Sequence, residues 1–276
     1  MPDLPPIAIG PVIMDGLQPV FILGPCVIES ESFVRDVAAQ LKDIADRNQL
    51  KWVFKASYDK ANRTSISSFR GMDCREGCAL LADVGRTLGV PVTTDIHSPQ
   101  EAETAAEFID LLQIPAFLSR QTDLIRSAGQ TGRAVNVKKG QFMAPWDVAN
   151  IADKLHSTGC RNFFFTERGT TFGYQNLVAD MRSLYWMREL GYRAVFDATH
   201  SVQRPGGQGT STGGDGVLAP VLARAAVAAG CDGVFMETHP NPAAALSDGP
   251  NQVPLGQLEK VLQQLAAIHH LVHAAA

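Results

Sequence analysis

The feature that most constrains the fold of this chain is a repeated alternation of short apolar runs with longer amphipathic segments. Each short run is rich in β-branched or aromatic residues, and each longer segment carries apolar residues at helical spacing. The strand candidates are PVFIL, KWVFK, VPVTT, IDLLQI, AVNVK, NFFFTE, AVFD and GVFME. Eight strand–helix units in 276 residues predict an α/β fold, a (β/α)8 TIM barrel, with residues 1–276 as a single domain.

An extra apolar piece, IAIGPVIMDG, precedes the first unit, and we expect about residues 1–18 to form a short β-hairpin that caps the barrel bottom.

Charge and composition narrow the class of protein. The net charge of −4 offers no basic field for nucleic acid or an anionic membrane. No apolar run is long enough to span a bilayer, and the N-terminus does not resemble a signal peptide. Five cysteines, an odd number without framework spacing, favour reduced thiols in a cytosol.

Polar side chains follow every predicted strand at its carboxyl end, which is where the active sites of such barrels lie. One such residue would ordinarily be a loop or helix-cap residue, but here every strand end carries an ionisable or amide group. In chain order the residues are Cys26, Lys55 with Lys60, Asp95 with His97, Gln113, Asn136 with Lys138, Arg168, Asp197 with His200, and Glu237 with His239. A barrel mouth lined with both signs of charge predicts an enzyme site for a small charged substrate.

The basic residues around this mouth indicate an anionic ligand. Phosphates and carboxylates are held by cations and hydrogen-bond donors, and arginine gives a two-pronged grip. The segment KASYDKANRTS, residues 55–65, packs two lysines, an arginine, an asparagine and hydroxyls into one loop. That density favours a phosphorylated, polyhydroxylated ligand. We expect Lys139, in contrast, to be a solvated loop charge.

Three other sequence patterns do not indicate a nucleotide-binding or metal site. RPGGQGTSTGGDG, residues 204–216, lacks the lysine of a P-loop, and we interpret it as a lid after the seventh strand. Cys74 and Cys78 are four apart in a helical segment, where we expect packing rather than metal binding. His269 and His273 have the same spacing, without a thiol or carboxylate nearby in sequence, and are interpreted as surface or interface residues.

Side chains of four metal-ligating types share one barrel end. They comprise a thiol, an imidazole and two carboxylates: Cys26, His200 in DATHS, Glu237 in METHP and Asp248 in LSDGPN. Such a set suits a divalent transition ion such as Zn²⁺, Fe²⁺ or Mn²⁺. Because spacing cannot pair ligands so far apart in sequence, composition alone leaves open whether a metal binds.

Eight long segments stand out in order from about residue 20 to the last helix. They are GPCVIES, FKASYDKANRTS, TDIHS, QIPAFLSRQTDL, NVKKGQF, ERGTTFGYQNLVADMR, FDATHSVQ and ETHPNPAAALSDGPNQVPL. Together they closely resemble the 3-deoxy-D-manno-octulosonate 8-phosphate synthases, also called 2-dehydro-3-deoxyphosphooctonate aldolases. The resemblance implies a transferase that condenses phosphoenolpyruvate with D-arabinose 5-phosphate, releases phosphate and supplies lipopolysaccharide synthesis. It also implies a cytosolic barrel enzyme, usually a homotetramer.

The resemblance assigns roles residue by residue. It implies phosphoenolpyruvate contacts from Lys60, Gln113, Lys138 and Arg168. It gives the phosphate of the sugar to Arg63 and Thr64, where some members have serine, a change that keeps the hydroxyl. The space around the aldehyde and the reacting carbons falls to Lys55, Asn62, Asp95 and His200, and the catalytic set also includes Asp248.

The resemblance also bears on the metal. Members with cysteine after GP depend on a metal, and members with asparagine there do not. This chain has Cys26 at that position. The resemblance therefore implies one divalent ion per chain, held by Cys26, His200, Glu237 and Asp248.

Other activities stay open. The nearest is a sister synthase that uses erythrose 4-phosphate, although its corresponding loop reads differently from KANRTS. A second is a Schiff-base aldolase with Lys55 or Lys138 as nucleophile. A non-catalytic sugar-phosphate-binding protein is disfavoured, because it would not need polar groups at every strand end.

Overall fold

The computed structural model describes residues 4–63, 65–174, 176–205 and 213–274. Within these ranges eight parallel strands form the barrel, numbered here β1 to β8: Val20–Gly24, Lys51–Lys55, Val92–Asp95, Leu111–Ile114, Ala134–Lys138, Phe163–Glu167, Ala194–Asp197 and Gly233–His239. Each strand pairs with its neighbour in chain order, and β8 pairs with both β7 and β1. The ring is therefore closed, and the predicted (β/α)8 barrel is confirmed.

One helix follows each barrel strand. Helices α1 to α8 are Glu31–Arg47, Cys74–Leu88, Pro99–Ala106, Thr122–Gln130, Val148–His156, Arg182–Glu189, Ala219–Ala228 and Leu255–Ala274. N-terminal capping residues fix where the helices begin. Ser30 Oγ accepts a hydrogen bond from the backbone amide of Phe33 at the start of α1, and the Asp73 carboxylate accepts hydrogen bonds from two backbone amides at the start of α2. None of the helices in the described ranges is both long and apolar enough to cross a membrane.

The core consists of two apolar layers separated by the barrel wall. The larger layer packs the outer face of the strands against the helices. The smaller layer fills the lower interior of the barrel with Val20, Ile22, Val53, Leu111, Ala134, Phe164, Val195 and Phe235. Side chains two residues apart on a strand point the same way. The next inward positions are therefore polar on six strands, where Lys55, Gln113, Asn136, Thr166, Asp197 and Glu237 follow.

The N-terminal hairpin closes the lower end of the barrel, as predicted. Its strands are Ile7–Ile9 and Val12–Met14, and its buried side chains belong to the interior apolar layer. Asn162, just before β6, holds it through two hydrogen bonds with the backbone of Ala8. The hairpin therefore binds at the amino-terminal ends of the strands, on the side opposite the polar layer.

Two segments were interpreted individually from the sequence: the histidine pair of α8 and the predicted lid after β7. The surface prediction is wrong for His269, which is buried and stacks on the exposed His273 with ring centroids 3.9 Å apart. Helical spacing defined the face that these histidines share but not whether that face packs inward. Residues 206–212 of the predicted lid lie outside the described residues. Its two ends form a short antiparallel ribbon, Gln203–Arg204 with Gly213–Gly214.

Arg193 anchors the N-terminal segment, and its removal should destabilise the fold. Its guanidinium donates to the carbonyls of Leu4, Pro5 and Asp15 and pairs with the buried Asp232. Removing one partner of a buried ion pair costs about 3 to 5 kcal/mol. Because Asp232 keeps Arg188 as a second partner, we expect Arg193→Met to lower the free energy of unfolding by about 2 to 4 kcal/mol.

Equilibrium urea unfolding measures this loss. Arg182→Met is the control, because it removes an exposed ion pair with Asp180 and should change the free energy of unfolding by less than about 0.5 kcal/mol. A loss for Arg193→Met no larger than that of the control would contradict the anchoring role.

Candidate active site

A cavity of about 1350 Å³ lies above the polar layer, at the carboxyl ends of the strands. Ten predicted site residues line it: Lys55, Lys60, Asn62, Arg63, Asp95, Lys138, Arg168, His200, Glu237 and Asp248. Cys26 and Gln113 are buried just behind its wall. Thr64 lies outside the described residues. The structure thus brings together side chains from distant parts of the chain at one barrel mouth.

Two lysines of the cavity are neutralised by buried carboxylates. Lys55 Nζ lies 2.5 Å from Glu237 Oε1 and also donates to the carbonyl of Cys26. Lys138 Nζ lies 2.7 Å from Asp197 Oδ2. Since each lysine is matched by one carboxylate, these pairs add little net charge to the cavity.

The other three cations of the cavity form no ion pair with a carboxylate in the described ranges. Lys60 Nζ donates to Ser57 Oγ at 3.1 Å. The Arg63 guanidinium donates to Ser247 Oγ and to two backbone carbonyls. Arg168 donates from Nη2 to Gln203 Oε1 at 2.7 Å. These three positive charges are available to attract anionic groups into the cavity.

Burial and neighbouring charges oppose each other in the polar layer. Burial alone would raise the pKa of Asp95 and of Glu237, but the surrounding lysines outweigh it and hold both pKa values well below the ordinary range. Burial alone would lower the pKa of Lys60, and the nearby thiol and carboxylates raise it instead. For Lys138 burial prevails, and its pKa is lowered despite the charge of Asp197. Asp95, Glu237 and Lys60 are therefore charged at neutral pH.

Gln113 does not line the cavity, because its amide is engaged one layer below it. Its Nε2 donates to Asp95 Oδ1 at 2.7 Å, and its Oε1 accepts from Asn136 Nδ2 at 3.0 Å. Asn136 Oδ1 in turn accepts from Thr166 Oγ1, and Ser57 Oγ donates to the other oxygen of Asp95. The chain of hydrogen bonds fixes the Asp95 carboxylate. Direct contact of Gln113 with a ligand stays a prediction.

Three of the four predicted metal ligands converge. One ligand atom from each of Cys26, Glu237 and Asp248 lies within 4.8 Å of the others. The Cys26 thiol lies 3.4 Å from Asp248 Oδ2 and also donates to Ser247 Oγ. Glu237 Oε2 is buried and has no hydrogen-bond partner in the described part of the chain. Because a buried charged oxygen without a partner is costly, this group fits a cation.

His200, the fourth predicted ligand, lies beside this group. Its Nδ1 is 2.8 Å from Asp197 Oδ2, and its Nε2 is 3.7 Å from Glu237 Oε2. Because the Asp197 carboxylate accepts a hydrogen bond from Nδ1, the other ring nitrogen, Nε2, is the one that faces Glu237. A carboxylate behind the imidazole is common at metal-binding histidines. Burial and the nearby carboxylates also raise the pKa of the Cys26 thiol, so that a thiolate here requires a cation.

The amino-acid sequence matches a known protein family and several curated proteins. The sequence model of the DAHP synthetase I family matches residues 7–274. The chain belongs to this family. It is 58% identical over 256 residues to the 2-dehydro-3-deoxyphosphooctonate aldolase of Cyanothece sp., covering 93% of this chain and 94% of the relative.

Two further curated relatives carry the same name. The chain is 55% identical to the 2-dehydro-3-deoxyphosphooctonate aldolase of Geobacter sulfurreducens, covering 96% of this chain and 98% of the relative. It is also 55% identical to the Acidithiobacillus ferrooxidans protein of that name, covering 93% and 92%. The resemblance inferred from the motifs is confirmed.

Two serines that shape the site were not predicted from the sequence. Ser57 lies between the two lysines of the KASYDK segment and touches both Asp95 and Lys60. Ser247 directly precedes Asp248 and accepts hydrogen bonds from Cys26 and Arg63. Their positions beside predicted site residues were the available signal, although a serine in a loop is too common to single out by itself.

Lys139 corrects a prediction, because it is fully buried rather than solvated. Since it directly follows Lys138 on β5, its side chain points to the opposite side of the barrel wall. There Nζ donates to the carbonyls of Gly140 and Met143 and lies 3.6 Å from Glu167 Oε2. The two adjacent lysines thus have different functions, one in the cavity and one behind it.

We expect Lys139→Met to lower the melting temperature on the order of 5 to 10 °C, because it leaves Glu167 buried without its cation. Circular dichroism during heating measures the shift. Lys154→Met is the matched control, since this half-buried lysine donates only to the carbonyl of Arg120 within the described residues. If both variants melt within about 2 °C of the original protein, the buried pair does not stabilise the fold.

Proposed function

We propose that this chain is a 3-deoxy-D-manno-octulosonate 8-phosphate synthase. It condenses phosphoenolpyruvate and water with D-arabinose 5-phosphate and releases inorganic phosphate. The observation that carries the proposal is the set of three cations, Lys60, Arg63 and Arg168, that line one cavity without a carboxylate partner in the described ranges. The two substrates bring three anionic groups, namely two phosphates and one carboxylate. The product name of the relatives agrees, because an octonate contains the three carbons of phosphoenolpyruvate and the five of a pentose.

In this proposal different cationic side chains bind the two substrates. Lys60, Lys138 and Arg168 bind phosphoenolpyruvate, and Arg63 with Thr64 binds the phosphate of the sugar. Gln113 is assigned to phosphoenolpyruvate as well, and it also holds the Asp95 carboxylate through a hydrogen bond. Positive charge from these residues offsets the repulsion between two anionic substrates, which otherwise opposes their approach.

The reaction develops charge at defined atoms. C3 of the enol phosphate is the nucleophile, and it gains strength as water adds at C2. The aldehyde oxygen of the sugar collects negative charge as the carbon–carbon bond forms. Lys55, Asn62 and Asp95 are cavity residues that we assign to the space around the aldehyde, together with His200 and Asp248. His200 Nδ1 is hydrogen-bonded to Asp197, so that Nε2 is the ring nitrogen left to face the reacting groups.

The proposal includes one divalent ion per chain, of the zinc, iron or manganese type. Cys26, Glu237 and Asp248 would hold it, with His200 as fourth ligand. The converging ligand atoms support this assignment, as does Glu237 Oε2, which is buried and has no hydrogen-bond partner among the residues described. When bound, such an ion supplies positive charge that can polarise a substrate oxygen or orient a water.

We also propose a cytosolic homotetramer that supplies lipopolysaccharide synthesis. Large apolar side chains are exposed on the loops after β4, β5 and β6: Phe117, Phe142, Trp146, Phe172 and Tyr174. Exposed aromatic groups of this size favour contact with another protein surface. All five cysteines are free thiols, which supports a reducing compartment.

A second candidate is the sister reaction with erythrose 4-phosphate, because the matching family is described as DAHP synthetase. The Schiff-base alternative has one supporting observation, the lowered pKa of the buried Lys138, since an amine must be neutral to attack a carbonyl. Against it, Lys138 Nζ is held by Asp197. Borohydride with substrate would trap an imine on the aldolase and leave a synthase unmodified.

The activity is tested by phosphate release from phosphoenolpyruvate with each aldose in turn. We expect arabinose 5-phosphate to support turnover at least tenfold better than erythrose 4-phosphate. With the phosphate anchored at Arg63, a sugar one carbon shorter leaves its aldehyde short of the enol phosphate, and a misplacement of about 1 Å can cost about a hundredfold in rate. Equal rates with the two sugars would contradict the assignment.

The metal assignment predicts about one transition ion per chain by elemental analysis, and loss of activity on strong chelation. Cys26→Ser should lose most of the ion, because a neutral hydroxyl is a poor substitute for a thiolate. Cys231→Ser is the matched control, since this buried thiol lies at the other end of the barrel and the variant should keep the ion.

Cys26→Asn separates two roles of the ion, because it copies the metal-independent members. A weaker enzyme that ignores chelator would indicate that the ion positions reactants, whereas a folded but inactive one would indicate obligatory charge stabilisation. Purified protein that contains no metal and stays fully active after exhaustive chelation would contradict both versions.

A further inference from the structure

The Arg168 guanidinium has one hydrogen-bond partner among the described residues, the side chain of Gln203. Arg168 Nη2 donates to Gln203 Oε1 at 2.7 Å. Arg168 is 5% exposed, and its Nη1 is buried without a partner in the described ranges. Both residues line the cavity. One edge of the guanidinium is thus held, and the other retains an unused donor.

The chemistry of this contact suits the orientation of a cation for an anionic ligand. A guanidinium is planar, so a bond to one terminal nitrogen restricts the direction of the other. An amide oxygen is a neutral acceptor and leaves the positive charge of Arg168 intact. A carboxylate at the same place would orient the group as well but would neutralise it. Glutamine at position 203 therefore gives direction without loss of charge.

Gln203 itself is fixed by the backbone around it. It pairs with Gly214 in the short ribbon, and the amide of Asp215 donates to the carbonyl of Val202. The ribbon packs against the turn after Asp248 so closely that a Cβ on Gly214 would overlap the side chain of Asn251. The backbone that carries the Gln203 side chain is consequently held from two sides.

We propose that Gln203 is a positioning residue that orients Arg168 toward the anionic groups of phosphoenolpyruvate. Gln203 acts through Arg168 and does not itself touch the reacting atoms. The identity of the anion rests on the proposed function. The hydrogen bond and the unused donor on Arg168 rest on the structure.

The first experiment compares steady-state kinetics of Gln203→Leu and Arg204→Ala. Leucine keeps a similar size and removes the acceptor, so we expect the KM for phosphoenolpyruvate to rise about tenfold and the KM for arabinose 5-phosphate to change less than about twofold. Arg204 lies next in the ribbon, is exposed and pairs with Asp215. Its alanine variant should keep both KM values within about twofold. Equal effects of the two variants on phosphoenolpyruvate would overturn the proposal, because disturbance of the ribbon would then explain them.

A double-mutant cycle isolates the pair. Phosphorus NMR titration measures the equilibrium affinity for phosphoenolpyruvate and tolerates weak binding. Gln203→Leu should weaken binding about tenfold in the original protein but less than about twofold in an Arg168→Met background, because the contact no longer exists there. Additive losses would overturn the proposal, since a purely structural role of Gln203 persists without Arg168.

Two further outcomes are decisive. If Gln203→Leu does not fold, Gln203→Glu replaces it, because the carboxylate keeps the shape and neutralises Arg168. We expect the KM for phosphoenolpyruvate to rise at least tenfold, and an unchanged KM would overturn the proposal. If the original protein binds phosphoenolpyruvate but turns over neither aldose, the proposed function fails and the binding cycle still decides the role of Gln203. An active enzyme with an additive cycle removes the role of Gln203 alone.

Discussion

The alternation of side chains along eight parallel strands is the constraint on which the site depends. Inward positions on β2, β6 and β8 carry Val53, Phe164 and Phe235, and two residues later the same strands carry Lys55, Thr166 and Glu237. The lower layer is apolar and sealed by the hairpin, so that solvent reaches the upper layer from the cavity side. Charges in that layer must therefore be satisfied by one another, or by solvent or a ligand on the cavity side.

This arrangement explains why the polar layer is only partly neutralised. Lys55 with Glu237 and Lys138 with Asp197 form buried pairs, which limits the cost of desolvating four charges. A second oxygen of Glu237 and one nitrogen of Arg168 are left without partners in the described residues. Groups of this kind lower stability in the free protein. Their retention is expected where a cation and an anion are to bind, because the ligands then supply the missing partners.

The periodic part of this structure could be predicted from the sequence, and the long-range part could not. All eight strand runs and the polar strand ends were found because they depend on local pattern. Lys138 and Lys139 show the limit: both follow the same apolar run, and their opposite directions depend on which residues of β5 face inward. The sequence places Gln113 at the end of its strand, but its hydrogen bonds to Asp95 and Asn136 could not be predicted, because these partners come from neighbouring strands.

Arg63 links the predicted sugar-phosphate site to the predicted metal site through a shared hydrogen-bond partner. Nη1 of this residue donates to Ser247 Oγ at 2.7 Å, and the Cys26 thiol donates to the same oxygen at 3.1 Å. Its other hydrogen bonds to the described residues go to the carbonyls of Phe69 and Leu246, which are neutral acceptors and do not compensate its charge. A phosphate that binds Arg63 competes with neutral acceptors and gains a charge-assisted bond. Exchange of the Ser247 contact would change the hydrogen bonding beside Cys26 and Asp248. The Arg63 guanidinium and the Cys26 thiol thus share one hydroxyl, so that a change in the contact of one alters the hydrogen bonding of the other.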